Sequence, residues 1–147
     1  MSLTTSVTHL SLPGASLVLV ACQAKASSMS LPVNISVCDA QGVELLFCRM
    51  QGAKVTSMDV ARGKAYTSAG HRAPTRKFAE YAGVGGPAFG LHTTNGGRFS
   101  IVPGGLPVSE GGEVVGSVGV SGGTPDQDEE VARAGVEAWE KKGRARL

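Results

Sequence analysis

The stretch Glu113–Val136, EVVGSVGVSGGTPDQDEEVARAGV, decides the fold reading. Val114, Gly116, Val118 and Val120 alternate with Val115, Ser117 and Gly119, the period of two that marks a strand. Gly116 and Gly119 lack side chains, so a helix or a neighbouring subunit is expected to pack close to the backbone there. Ser121-Gly122-Gly123 then turns the chain into a helix. Thr124 as N-cap, Pro125 at the first helical position and Gln127 reaching back make a capping box. Glycines that feed a helix start also resemble an anion cradle. Asp126, Asp128, Glu129 and Glu130 argue against that use, because acids already occupy the positive end of the helix dipole. The helix is expected to run to about Lys142, with Lys141, Lys142, Arg144 and Arg146 at its basic end. Val131, Ala132, Gly135, Val136 and Trp139 form its inward stripe. Asp126 and Asp128 are also possible ligands for a divalent metal, but no HxxxH, CxxC or clustered His/Asp spacing accompanies them.

Upstream, Leu17, Val20, Ala21 and Ala24 repeat at helical spacing within Ala15–Met29, between Pro13-Gly14 and Pro32. Val33–Cys38 alternates as a strand, Asp39-Ala40-Gln41-Gly42 turns, and Val43–Arg49 returns as a second strand. Asp39 is the natural turn-former there. Ser57 is placed as the cap of a helix to about Ala69, ended by Gly70 and burying Val60, Ala61 and Ala65. A short helix is expected over Thr75–Tyr81, then a glycine-rich loop from Gly83 to Gly97. Arg98–Val102, Leu106–Ser109 and Glu113–Val120 read as three short strands. The order predicts an α/β protein of the α+β type, with one mostly antiparallel five-stranded sheet flanked by helices.

A length of 147 residues suits a single domain over 1–147 with one core. Aromatics are only 5%, so that core must be built from Val, Leu and Ala. The net charge of +2 hides a basic middle in which Arg49, Lys54, Arg62, Lys64, Arg72, Arg76 and Lys77 face only Asp59. Without interleaved aromatics this favours an anionic small molecule over nucleic acid. An ordinary solvated basic face accounts for the same charges. Cys22, Cys38 and Cys48 form no CxxC pair, and their odd count points to a reducing compartment. Leu19-Val20-Ala21-Cys22 imitates a lipoprotein cleavage box, but no base precedes it. Asn34-Ile35-Ser36 is a glycosylation sequon inside an expected strand. No apolar run approaches membrane-spanning length, so a cytoplasmic protein without a membrane partner is expected.

The segment SVCDAQGVELLFCRMQGAKVTSMDVARGKAYTSA resembles the GlcG/HbpS-like family, also called the haem-degrading or PduO C-terminal-like domain. The matching elements are Asp39, Gly42, Arg49-Met50-Gln51-Gly52-Ala53 and Ala61-Arg62-Gly63-Lys64-Ala65. PGGLPV at Pro103–Val108 and VVGSVGVSGGTPDQDEEVARAG after it extend the match in the right order over nearly the whole chain. The resemblance implies a profilin-like fold with a five-stranded antiparallel sheet. It also implies homo-oligomers, from dimers to octamers, and an association with haem binding and haem degradation.

Haem needs an axial ligand, an apolar slot and cations for its propionates. The histidines are His9, His71 and His92, of which His71 and His92 are the candidate iron ligands. His71 follows a basic helix, and His92 lies in a flexible glycine-rich loop. A second constellation for a small ligand comprises Arg49, Lys64, His92 and the Ser121-Gly122-Gly123 turn, with Lys64 and His92 as candidate catalytic groups. Structural roles compete with these: Arg49 capping strand-end carbonyls, and Lys64 paired with Asp39 or Asp59. Three functions remain open at this point. One is binding of haem or a related tetrapyrrole. Another is an enzyme of a catabolic or secondary-metabolite pathway acting on a small carboxylated or phenolic compound. The third is a non-catalytic accessory oligomer.

Overall fold

The computed structural model describes residues 1–145, so Arg146 lies outside the described residues. The sheet has four antiparallel strands in the order β2-β1-β4-β3. They are β1 (Asn34–Asp39), β2 (Glu44–Arg49), β3 (Gly105–Glu110) and β4 (Glu113–Ser121). The helices are α1 (Leu12–Ser28), α2 (Ser57–His71), α3 (Phe78–Tyr81) and α4 (Pro125–Ala145). The result is an α+β protein with an antiparallel sheet. Helices α1 and α4 pack against each other and one sheet face, and α2 lies on the other.

Four strands stand where five were expected. Arg98–Val102 crosses α2 instead of joining the sheet. The Ser100 amide donates to Thr67 Oγ1 at 2.8 Å, and Thr75 Oγ1 donates to the Val102 carbonyl at 2.7 Å. These side chains take over hydrogen bonds that a sheet partner would otherwise make. Gly63 permits the crossing, since a Cβ there would meet the Arg98 carbonyl oxygen at 2.9 Å.

Local chemistry sets the two hairpins and the last helix. Asp39 Oδ1 accepts from the amides of Gln41 and Val43 at 2.9 and 3.1 Å, so its carboxylate closes the β1–β2 turn. The Thr124 amide donates to Gln127 Oε1, and the Gln127 amide to Thr124 Oγ1, which completes the capping box of α4. Its inward stripe buries Val131, Ala132 and Gly135, with Val136 and Trp139 half-buried against the core.

Two helices differ from expectation in detail. Helix α1 buries Gly14, Ala15, Val18, Cys22 and Ala26, and leaves Val20 and Ala24 exposed with Leu17 and Ala21 half-buried. Both stripes carry helical spacing, and only packing against α4 chooses between them: a Cβ on Gly135 would strike Cys22 Sγ and Val18. In α2, Thr56 precedes the first turn without a side-chain cap, so Ser57 is already helical. Val60 is exposed. The helix passes through Gly70 and ends at Arg72, a left-handed residue with φ of 55°. Buried Ser68 fixes that exit: its carbonyl accepts from the Arg72 and Ala73 amides, and its hydroxyl donates to the Ala73 carbonyl.

Candidate functional site

Alternation along the strands gives the sheet two unlike faces. Ile35, Val37, Leu106, Val108, Val118 and Val120 form an aliphatic core with α1 and α4. Ser117 and Gly119 instead face α2, and Asn34, Ser36 and Cys38 stand beside them in register. Gly119 brings the helix onto the backbone, since a Cβ there would lie 2.2 Å from the Ala61 carbonyl oxygen. The Ser117 hydroxyl donates to the Ala65 carbonyl at 2.6 Å. Gly116, on the opposite face, makes room for Leu10.

Lys64 lies within this polar layer, 1% exposed. Its Nζ donates to the Val120 carbonyl at 2.8 Å and to Asp128 Oδ2 at 2.9 Å. The partner is thus Asp128 on α4 and neither Asp39 nor Asp59. Burial pushes the Lys64 pKa down, and the attraction of Asp128 opposes that shift. Asp128 Oδ1 accepts from the Gly123 amide at 2.8 Å, so the glycine turn is held by the chain's own carboxylate. Asp126 and Glu129 both pair with Arg76. Among the described residues, no three His, Cys, Asp or Glu side chains gather around a metal position.

Arg49, Asn34 and Ser121 occupy one row across β2, β1 and β4. Arg49 is exposed, Ser121 is buried, and neither side chain is hydrogen-bonded among the described residues. Asn34 donates to the Lys54 carbonyl, just before α2 begins. It is fully buried, and its sequon is closed to modification in this fold. At the other end of α2, Tyr66 abuts the Gly42 turn, and His71 is the last helical residue. A helix of 15 residues is about 22 Å long. The Arg49–Ser121 row and His71 therefore lie toward opposite ends of α2.

His71 is exposed, and its ring meets Phe78 and Phe99 edge-on at 5.0 and 4.8 Å. Those phenylalanines meet each other at 5.3 Å, with Leu91 and Ile101 against the cluster. Neither His71 nitrogen has a hydrogen-bond partner among the described residues. Arg72, in its left-handed conformation, follows directly. His92 is next to Leu91 in the chain, and its ring tilts against Phe89 at 5.7 Å. Its Nδ1 is buried without a partner. His9 stands apart, with Nδ1 at 3.8 Å from Asp39 Oδ2.

Two clefts open elsewhere. One, of about 740 Å³, runs between the start of α1 and the end of α4, with Pro13, Leu17 and Trp139 as walls and Lys142 and Arg144 at its rim. The other, of about 340 Å³, lies between the β1–β2 turn, α2 and Arg98. None of Arg49, Lys64, His71, His92 or Ser121 lines either cleft. Sequence reasoning overlooked Phe78 and Phe99 as the setting of His71. In a chain with only four phenylalanines, their positions just beyond the basic helix and the glycine loop were the available signal.

The comparisons with known proteins agree over most of the chain. A family model described as "Haem degrading protein HbpS-like" matches residues 10–137. A Citrobacter freundii protein from the dhaT-dhaS intergenic region is 38% identical over 139 residues, covering 95% of this chain and 98% of that one. The crystal structure of Klebsiella pneumoniae protein ORFY superposes with a TM-score of 0.92 at 34% identity, over 95% of this chain and 97% of the other. A structure of a PduOC–haem complex superposes with a TM-score of 0.85 at 27% identity, over 89% of this chain and 95% of the other. The chain belongs to the HbpS-like family of haem-degrading proteins.

Proposed function

We propose that this chain binds haem or a related tetrapyrrole, with His71, backed by the buried Phe78 and Phe99, as the iron ligand. One observation carries the assignment: an exposed imidazole with no protein hydrogen bond, held edge-on by two phenylalanines within 5.0 Å. A neutral imidazole with an open nitrogen is the form that ligates iron. The two rings fix its orientation before ligand arrives, which lowers the ordering cost of binding. Exposed Arg72 and Lys77 adjoin His71 and Phe78 in sequence and suit the propionates. His71, Arg72 and Lys77 thus supply an iron ligand and partners for the carboxylates. The haem complex of a family relative supports haem binding.

Bound there, haem supplies iron-centred redox and ligand-binding chemistry. The chain's part is to orient the imidazole against the buried Phe78 and Phe99 rings and to neutralise the carboxylates. His92 is the candidate second ligand, because the adjacent Leu91 packs against the same buried cluster as His71. With Nδ1 enclosed, Nε2 is the nitrogen that a ligand can reach. In this reading Lys64 and Ser121 are structural, and Arg49 stands away from the iron.

Absorbance titration with haem tests the assignment. The full chain should develop a Soret band at micromolar haem. His71→Ala should abolish that band or shift it strongly, whereas Arg49→Ala should leave it unchanged. An unaltered band in a folded His71→Ala protein refutes the ligand assignment, and no band in the parent protein refutes haem binding. The reading also takes residues 1–147 as one profilin-like domain that self-associates, between dimer and octamer, in the cytoplasm. The exposed Leu12, Val20, Val43 and Val55 support self-association. Sedimentation analysis that returned only monomer would remove that part.

A further inference from the structure

The smaller cleft combines features that the haem reading does not use. Its floor is made by Ser36 and Cys38, both buried on the α2 side of β1. Its walls carry Glu44, Arg62, Tyr66 and Arg98. Each guanidinium carbon lies over an aromatic ring: Arg62 Cζ is 4.0 Å from the Phe47 ring centre, and Arg98 Cζ is 4.1 Å from that of Tyr66. Arg62 Nε donates to Glu44 Oε1 at 3.0 Å, and Ser36 Oγ donates to the same oxygen at 2.8 Å. Arg98 differs from Arg62 in having no acidic partner among the described residues. Its Nε donates to the Asn95 carbonyl, and its terminal nitrogens make no hydrogen bond among the described residues. Tyr66 is itself held, since its hydroxyl donates to Asn95 Oδ1 at 2.9 Å.

We propose that this cleft is a second ligand site, distinct from the His71 site, which takes a small monocarboxylate on the Arg98 guanidinium. Three observations define the ligand. A planar guanidinium placed over the Tyr66 ring and tied by one Nε bond keeps its outer edge for a two-pronged acceptor, which a carboxylate matches. Glu44 in the cleft and Asp39 behind its turn already offset the two guanidiniums, so a singly charged acid is tolerated better than a dianion. A phosphate dianion would meet Glu44 with excess charge. The volume of about 340 Å³ admits a small acid and is too tight for a macrocycle.

The floor fits the same class. Burial pushes the Cys38 thiol up to about 11, with the field of Glu44 adding to the shift. At neutral pH the floor therefore presents a neutral S–H and a hydroxyl, with no thiolate to repel the acid. Val43 at the rim gives the ligand's carbon chain an apolar contact.

The test is an amide- and guanidinium-detected NMR titration of the full chain with sodium propionate. Saturable shifts should appear at Arg98 Nε–H, Tyr66 and Glu44. Arg98→Ala should weaken the effect by about tenfold or more, as expected for loss of a charged two-pronged contact. Glu44→Gln should act in the opposite sense and tighten propionate, which guards against a variant that merely perturbs folding. Absence of saturable shifts in the parent chain overturns the site. Phosphate binding more tightly than propionate overturns the carboxylate assignment. A third arm separates this site from the haem site: Arg98→Ala should keep the Soret band of the parent protein. Loss of the band would assign the guanidinium to a haem propionate and overturn a separate site. A chain that binds propionate without developing any Soret band refutes only the haem reading.

Discussion

Toward α1 and α4 the sheet presents Ile35, Val37, Leu106, Val108, Val118 and Val120, whereas toward α2 it presents Asn34, Ser36, Cys38, Ser117 and Gly119. The first face is sealed chiefly by aliphatic packing, with few polar ties such as Gln23 to Cys48. Stabilisation there scales with apolar area and is tolerant of which aliphatic residue supplies it. The second face is sealed by close backbone approach and by polar contacts such as Ser117 with Ala65, and the Lys64–Asp128 pair ties its helix α2 to α4. Polar pairs of this kind add little over an apolar filling but cost much when half removed. Both the small cleft and the helix that carries His71 belong to the second face.

Breaking the buried ion pair should separate the two faces most sharply. Asp128→Ala leaves the Lys64 ammonium without its counter-charge and the Gly123 amide without its acceptor, and should cost about 3–5 kcal/mol in denaturant unfolding. The double variant Lys64→Met, Asp128→Leu should recover much of that loss. If Asp128→Ala costs under about 1 kcal/mol, the polar face is no more demanding than the aliphatic one. Next in size is Gly119→Ala. Its added Cβ faces helix backbone, which cannot rotate away, so the whole of α2 must move outward. A loss of about 1–3 kcal/mol is expected from overpacking, with weaker hydrogen-exchange protection in α2.

Smaller effects sharpen the contrast. Ile35→Val on the aliphatic face should cost about 0.5–1.5 kcal/mol through lost volume. Ser117→Ala on the polar face removes one hydrogen bond and should cost about 1 kcal/mol. The two losses should differ in character: only Ser117→Ala should speed amide exchange around Ala65. The thiols supply the mildest probe. Burial raises Cys22 to about 12 and Cys38 to about 11, from a usual 9.0. Because the folded values lie above the unfolded one, the native state holds more protons between these limits. The thiol contribution is complete below about pH 9 and is lost as pH rises through about 11 to 12. Thermal melts should therefore show no thiol effect from pH 6 to 8.5 and a decline above it. The decline should be weaker in Cys38→Ala.

Much of the fold was legible because it rests on short-range chemistry. The β4 alternation, the Asp39 turn, the Thr124–Gln127 capping box and the inward stripe of α4 involve residues within a few positions of one another. Arg98–Val102 misled because its apolar pattern is that of a strand, while its hydrogen bonds go to Thr67 and Thr75 on neighbouring elements. The expected face of α1 misled for a related reason: two stripes carry helical spacing, and Gly135 of α4 selects the one with Val18 and Cys22.

The candidate site was legible only as residue types. His71 and His92 stood out as the chemistry-bearing side chains of a basic, glycine-rich middle. Their setting did not, because Phe99 reaches His71 from across the chain and Leu91 arrives from the loop. By itself the sequence determined the four strands and the main helices in order, with one strand too many, together with the Asp39 turn, the Thr124–Gln127 cap and the family. Only the tertiary structure decided that Lys64 pairs with Asp128, 64 positions away, and that Arg62 meets Glu44, 18 positions away. It also separated Arg49 and Ser121 from His71 by the length of α2. The physical reason is range: hydrogen bonds within a turn are written in adjacent residues. Ion pairs, ring stacking and clefts depend on which faces meet after the chain has packed.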